Sequence, residues 1–256
     1  MSVWGFPLNL QWWLVRAMTP RRVVKSRGLR FSLQCENWIT HYRVQTFNEK
    51  EPETLDWIDQ WLREGDTLFD VGANIGVYTV YAALRHRRLR VIAFEPEYAN
   101  LHCLRDNLFE NGLQDHVEVY AIALSHRSGI SQLHIQDRAP GSALHTESNG
   151  ILDVTLAGRP VIWREGVFAV TLDEFCEQTG LTPHALKIDV DGTEAQILEG
   201  ARKTLAGPTL RSVLIELPVN RMSRQRCEQY LATAGLHRCW ADSGQHSANE
   251  IWARKP

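Results

Sequence analysis

Four carboxylates in this chain stand where an extended apolar run stops. Asp70 follows Thr67-Leu68-Phe69, Glu95 follows Val91-Ile92-Ala93-Phe94, Asp189 follows Leu186-Lys187-Ile188, and Glu216 follows Val213-Leu214-Ile215. In an open α/β sheet the ligand crevice lies outside the carboxyl ends of the strands. Acids at those ends can therefore converge on one bound molecule. Asp70 is followed by Gly72 and Gly76 with Asn74 between them. The glycines let the backbone turn sharply or come close to a ligand. Asn74 tolerates an unusual backbone angle and offers both a donor and an acceptor. A dinucleotide site uses such a turn to hold an anionic pyrophosphate, which Asp70 would repel. The spacing is also G-x-x-x-G and not G-x-G-x-x-G. The pattern suits a cationic ligand carrying a ribose and an amino group, such as S-adenosylmethionine. Glu95, about twenty residues past the turn, is placed to accept the two ribose hydroxyls.

The acids beyond the glycine turn are also candidates for moving a proton. Asp189 is the leading base, with Glu216 expected beside it on the next strand. Two neighbouring carboxylates raise one pKa toward neutrality, which suits proton transfer. Lys187, Asp189 and Asp191 share one side of an extended chain by period two, so Lys187 can neutralise part of the cluster. Helix capping is the plain alternative for Asp189 and Asp191. A Mg²⁺ or Ca²⁺ ion held by Asp189, Asp191 and Glu216 is the weaker alternative. His145, in the loop Gly141-Ser142-Ala143-Leu144-His145, is a second candidate base. Ser142 in the same loop is placed to contact donor or acceptor.

These residues need a scaffold that brings strand ends together. Strand-like runs alternate with helical periodicity from residue 51 onward. The spacing predicts a helix opening at Glu51-Pro52, a strand ending at Asp70, and a helix over about 75–86. A strand over 90–95 follows, then a helix opened by Pro96 and closed at Asn111-Gly112, and a strand over 117–124. Residues 130–136 and 167–170 read as a hairpin around a long loop, about 137–166, which is the acceptor-selecting candidate. A fourth strand over 185–190, a helix over 194–205, a fifth strand over 210–217, a helix over about 224–234 and a closing antiparallel pair complete the chain. The expected fold is α/β, a doubly wound, mostly parallel seven-stranded sheet. Residues 1–50 read as an N-terminal extension of a helix and short strands, with Phe31-Ser32-Leu33 and Tyr42-Arg43-Val44 extended. Residues 51–256 form the main domain.

The 256 residues carry a net charge of −2, against the basic excess of a protein that grips nucleic acid. The basic run Arg85–Arg90 reads as a solvated helix end. The five cysteines form no C-x-x-C pair, as in reduced cytoplasmic proteins. No run is long and apolar enough to cross a bilayer. The N-terminus sets Trp4, Trp12 and Trp13 beside Arg16, Arg21 and Arg22. It reads as a docked helix, and tryptophan beside arginine also suits peripheral contact at the inner face of a membrane.

The ordered set Asp70-Val71-Gly72-Ala73-Asn74-Ile75-Gly76, Phe94-Glu95-Pro96 and Leu186-Lys187-Ile188-Asp189-Val190-Asp191-Gly192-Thr193-Glu194 resembles the FkbM-type S-adenosylmethionine-dependent methyltransferases. Ile197-Leu198-Glu199-Gly200-Ala201 and Ile215-Glu216 extend the resemblance, which covers about residues 53–217. It departs at Asp191, where members often carry Glu. The resemblance implies a Rossmann-like methyltransferase fold and methyl transfer to a hydroxyl oxygen of a sugar, polyketide or lipid-linked saccharide. It implies that Asp70, Gly72, Asn74 and Gly76 hold the amino acid end and ribose of the donor, Glu95 the ribose hydroxyls, and Tyr120, Ala121 and Ile122 the adenine. Two other classes compete. A nicotinamide-dependent oxidoreductase is opposed by Asp70 and the missing G-x-G-x-x-G. A non-catalytic S-adenosylmethionine-binding protein is opposed by the acid set at Asp189 and Glu216. RNA base methylation is opposed by the charge and by the lack of an N-P-P-Y-like segment after the fourth strand.

Overall fold

The computed structural model describes residues 18, 20–143, 146–148, 155–156, 159–218, 220–241 and 248–255. A hairpin, β1 (Arg21–Ser26) and β2 (Leu29–Gln34), leads into helices α1 (Trp38–Gln45) and α2 (Pro52–Trp61). Then come β3 (Thr67–Val71), α3 (Val77–Arg85), β4 (Arg90–Phe94), α4 (Tyr98–Glu110) and β5 (Val117–Tyr120). An inserted region holds β6 (Ala123–Leu124), β7 (Gly129–Ile135), β8 (Thr146–Ser148), β9 (Thr155–Leu156), β10 (Arg159–Pro160) and β11 (Trp163–Val170). The chain closes with α5 (Leu172–Thr179), β12 (Ala185–Ile188), α6 (Glu194–Glu199), α7 (Arg202–Ala206), β13 (Ser212–Glu216), α8 (Arg221–Thr233), β14 (His237–Ala241) and β15 (Asn249–Ala253).

The main sheet has seven strands in the order β14-β15-β13-β12-β3-β4-β5. The strands from β13 to β5 are parallel, and β15 runs antiparallel between β13 and β14. The order reverses between β3 and β12, so their carboxyl ends flank the crevice such sheets use for ligands. Strand alternation divides the core between two faces. Leu68, Val91 and Leu214 pack with α2, α3 and α4 in one cluster. Phe69, Ile92, Leu186 and Ile215 pack on the other face with Phe175, Ile197 and Leu231 of α5, α6 and α8.

The N-terminal hairpin belongs to the first of these clusters. Phe31 and Phe47 pack against Tyr78 and Tyr81 of α3, with Phe31 and Phe47 edge to face at 5.4 Å. Asn107 and Asn111 of α4 accept from the backbone of Gln34 and Ser32, tying the hairpin to the main domain. Tyr42-Arg43-Val44, expected to be extended, is helical. Its branched and aromatic residues favour a strand, but Asn37 overrides them. The Asn37 side chain accepts from Ile39 N and Thr40 N, and Thr40 Oγ1 accepts in return from Asn37 N, a reciprocal cap.

Smaller differences have local causes. The helix expected from Pro96 starts at Tyr98, because Glu97 caps it by accepting from Ala99 N and Asn100 N. The strand expected over 117–124 divides. Ala123 and Leu124 leave the main sheet to pair with β11. The helix expected over 194–205 breaks at Gly200, where a side chain would meet Ser125 O at 2.2 Å. The 130–136 and 167–170 hairpin is present as β7 and β11, and short strands occupy parts of the long loop between them. Among the described residues no helix is long and apolar enough to cross a membrane. The aromatic N-terminus lies outside the described residues.

If the Asn37 cap rather than intrinsic propensity holds α1, Asn37→Ala lowers stability by about 1 kcal/mol in urea unfolding. An unchanged midpoint would remove that explanation.

Candidate functional site

The glycine turn after β3 is fixed by what lies behind it. Gly72 has φ of +79°, and an added Cβ would fall 2.0 Å from the Asp189 carbonyl oxygen. Gly72 is thus required both for its backbone angle and for the contact between the β3 and β12 ends. Gly76, at φ +78°, opens α3 where a Cβ would strike Leu104. Asn74 also takes a left-handed angle, φ +53°. Its side-chain oxygen accepts from Ile75 N at 2.9 Å, and its Nδ2 donates to Ser142 O at 2.8 Å. Its backbone N–H donates to Glu95 Oε2 at 2.8 Å. The other Glu95 oxygen accepts from Glu97 N at 2.9 Å. Glu95 is buried, and loss of water pushes its carboxyl up to about 7 despite these N–H donors.

Asp70 does not stand on an open rim. It is 1% exposed, beneath the turn. One of its oxygens takes the Thr79 hydroxyl at 2.5 Å. The other has no hydrogen-bond partner and lies 3.7 Å from Lys187 Nζ. The parallel register sets Lys187 directly opposite Asp70 on the same sheet face. Lys187 is buried as well, and its ammonium donates to Asp189 Oδ2 at 2.9 Å. Burial alone would lower the lysine pKa. The charges of Asp189, Asp70 and Glu51 prevail and raise it, so Lys187 stays protonated.

Asp189 and Glu216 share a hydrogen bond at the ends of β12 and β13. Burial opposes ionisation of Asp189, but Lys187 outweighs it and holds Asp189 well below the usual carboxylate range. Glu216 moves the other way. Loss of water at its carboxyl and the adjacent Asp189 charge push it up, although the residue as a whole faces solvent. The pair therefore holds one negative charge and one proton near neutrality, with the charge on the Lys187 side.

Two residues of this cluster were not identified from sequence. Glu51, read only as a helix start, is buried at the N-terminus of α2 and accepts from Lys50 Nζ at 2.7 Å and Thr54 Oγ1 at 3.2 Å. The Tyr78 hydroxyl of α3 bonds to Glu51, and Lys187 lies 5.6 Å from the Tyr78 ring centre. Burial, Glu51 and Asp189 all push the Tyr78 hydroxyl well above its ordinary value. An acid adjoining Pro52 carries a strong helix-start signal, which hides any second role. Tyr78 lies in a strongly apolar helix where an aromatic residue reads as core.

The remaining expected residues divide. Ile122 lines a cavity of about 40 Å³ with Gly72, Phe94, Pro96, Val190 and Thr193. Ala121 is exposed beside it. The Tyr120 ring instead packs on Phe94 and Phe175, with centroids 5.8 and 4.8 Å away, and its hydroxyl donates to Glu118. Its backbone carbonyl accepts from Glu95 N. Ser142 is buried; its hydroxyl donates to Asp137 O, while its carbonyl takes the Asn74 and Asn100 amides. The Gly141–Ser142 turn is also gripped by the N-terminal helix, since Arg43 Nε donates to Gly141 O and Asn37 Nδ2 to Pro140 O. His145 lies outside the described residues. Among the described residues no group of three His, Cys, Asp or Glu side chains is placed to hold a metal ion. A cation already occupies the acid cluster in the form of Lys187.

The chain is 30% identical over 176 residues to 31-O-demethyl-FK506 methyltransferase FkbM of Streptomyces tacrolimicus, covering 61% of this chain and 66% of that protein. It is 26% identical over 157 residues to methyltransferase sdnD of Sordaria araneosa, covering 52% and 59%. The chain thus spans about two thirds or less of the length of these curated relatives. Aeropyrum pernix fibrillarin, solved with natively bound S-adenosyl-L-methionine, shares the fold at 12% identity and a TM-score of 0.51, over 91% of this chain and 82% of its own. The family model for the methyltransferase FkbM domain matches residues 70–235, and the chain belongs to that family.

Proposed function

We propose that this protein transfers the methyl group of S-adenosylmethionine to a hydroxyl oxygen of a small molecule or glycan. The observation that carries this reading is the union, at neighbouring strand ends, of a glycine turn backed by Asp70 and Glu95 with the Lys187–Asp189–Glu216 cluster. The residues fit such a donor. Asp70 keeps a buried oxygen without a hydrogen-bond donor beside the turn, a place suited to positive charge. Gly72 lets the turn close onto the Asp189 backbone, which any side chain would prevent, so the turn and the acid cluster stay adjacent. Ile122, Phe94 and Val190 give the small space beside the turn apolar walls.

When bound, the donor supplies a methyl already activated on a sulfonium. The chain must then align an acceptor hydroxyl and take its proton. Alignment of this kind contributes up to about 7–11 kcal/mol in favourable cases. The acid pair divides the proton work. Asp189, fixed as an anion by Lys187, is a strong hydrogen-bond acceptor but a weak base. Glu216, raised by burial and by Asp189, has the proton affinity suited to a base near neutrality once it has lost its own proton. Tyr78 and Glu51 close the cluster on the α2–α3 side, and Tyr78 keeps its proton.

Glu95→Gln tests the donor side. Burial pushes the Glu95 carboxyl up to about 7, and ribose hydroxyls donate more strongly to its ionised form than to its protonated one. Its pKa is raised, so the ionised form is lost as pH falls through 7. Donor affinity measured by calorimetry should weaken by up to about tenfold per pH unit below that point. The variant should bind weakly at every pH, and a wild-type profile in it would displace Glu95 from the donor site.

Asp189→Asn and Glu216→Gln test the proton route. Each should lower kcat by about 10²–10⁴-fold while donor affinity stays near wild type. In the native protein kcat should climb as pH rises above neutrality and Glu216 deprotonates; Glu216→Gln should flatten that climb. Full turnover in both variants would dismiss the pair. Exhaustive chelation should leave turnover unchanged, and a loss restored by Mg²⁺ would bring back a metal at Asp189, Asp191 and Glu216.

A further inference from the structure

A second cavity opens on the same sheet face as the acid cluster. It encloses about 470 Å³, within the range of small-molecule sites. Trp61, Trp240 and Ile251 give it apolar walls, and Lys50, Glu53 and Gln60 give it polar ones. Strand register relates it to the cluster. Trp240 pairs with Ile251, Ile251 with Leu214, Leu214 with Lys187, and Lys187 with Asp70, all along one row. At the strand spacing, two steps from Ile251 to Lys187 span about 10 Å.

The rim of the cavity and the rim of the cluster share residues. Lys50 lines the cavity and bonds Glu51, which faces Lys187 and Glu216. Glu53 lines the cavity and accepts from Asn249, which is paired with Glu216 in the sheet. Helix α2 runs opposite to β3, so its N-terminus lies at the carboxyl edge, where the acceptor must enter.

The lining specifies a class of occupant. Tryptophan faces pack against the apolar C–H faces of a ring, while acids and an amide accept and donate to hydroxyls around its edge. Glu49, Glu53 and Asp56 against Lys50 make the walls net negative, which repels an anionic ring. Asp56 is also paired with Arg27, and Lys50 with Glu51, while Glu49 and Glu53 carry the remaining negative charge and Glu53 accepts from Asn249 through one oxygen. We infer that this cavity seats a neutral or amino-bearing saccharide unit, next to the unit whose hydroxyl faces Asp189 and Glu216. The inference rests on the methyl-transfer reading and names the acceptor for it. It makes Trp61, Trp240 and Glu53 the residues that select that acceptor.

Saturation-transfer NMR on the full chain tests this without turnover, using cellobiose, a glucosamine dimer and a galacturonic acid dimer as probes. The first two should receive saturation at their ring protons, and the acidic dimer should not. Trp240→Ala and Glu53→Gln should each weaken the binding by about tenfold. Trp240 is on an exposed edge strand and Gln can still accept from Asn249, so circular dichroism should match the native protein. Calorimetry with S-adenosylmethionine on the same samples separates the two readings. Donor binding without any saccharide signal, equal binding of the acidic dimer, or unchanged affinity in both variants overturns the cavity assignment and leaves methyl transfer standing. Saccharide binding without donor binding overturns methyl transfer instead.

Discussion

A protonated lysine buried between two carboxylates governs the arrangement of this protein. Isolated from water, an ammonium group costs several kcal/mol, and only close opposite charge offsets it. Lys187 meets that condition with Asp189 at 2.9 Å and Asp70 at 3.7 Å. The same contact decides the state of everything around it. It keeps Asp189 ionised, and an ionised Asp189 drives Glu216 toward its protonated form. It also gives Asp70 a positive neighbour within the protein, so the acid ahead of the glycine turn is not bare. A bound sulfonium donor would then add to a balanced cluster of charge and would not meet an isolated anion.

Such a cluster can exist only if register is exact to the residue. A slip of one position would turn Lys187 to the opposite face, among Phe69, Ile92 and Ile215, and would bring Leu186 and Ile188 to the charged face. The parallel ladder prevents this, because Leu186 and Ile188 are fully buried there and Ala185 packs with the first cluster. Gly72 adds a second lock, since its missing side chain lets the Asp189 backbone close onto the turn. Packing on the far face therefore positions charge on the near one. The N-terminal hairpin contributes in the same way: Phe31 and Phe47 support Tyr78, which in turn covers Lys187.

The legible parts of the sequence were those written in periodicity. Alternation of apolar strand residues with helical runs was enough for the sheet, because each β3-to-β13 unit carries a strong period. The strand-end acids were legible for the same reason, since each one interrupts an apolar run. Tyr42-Arg43-Val44 was misread because its residue types favour a strand while a single capping residue, Asn37, decides for helix. The break at Gly200 was hidden because the glycine there answers to Ser125, far away in sequence, against which a side chain would clash. Glu51 and Tyr78 were hidden for a related reason. Their roles depend on α2 and α3 meeting over β12, and no local pattern encodes that meeting. Tyr120 shows the converse: its backbone serves Glu95, while its ring belongs to the aromatic core.

The division of labour between the two sides of the glycine turn follows from these contacts. On the Glu95 side, the backbone N–H groups of Asn74 and Glu97 already hold the carboxylate, and the Ser142 carbonyl takes the side-chain amides of both Asn74 and Asn100. Arg43 and Asn37 hold the Ser142 turn from the N-terminal helix. That side is rigid before any ligand arrives, which reduces the ordering cost of binding. On the Glu216 side the residue faces solvent, and its carboxyl shares a hydrogen bond with Asp189. A donor that is the same in every cycle suits a preformed cradle. An acceptor that must enter, give up a proton and leave methylated suits the open edge, with specificity drawn from the walls beyond it.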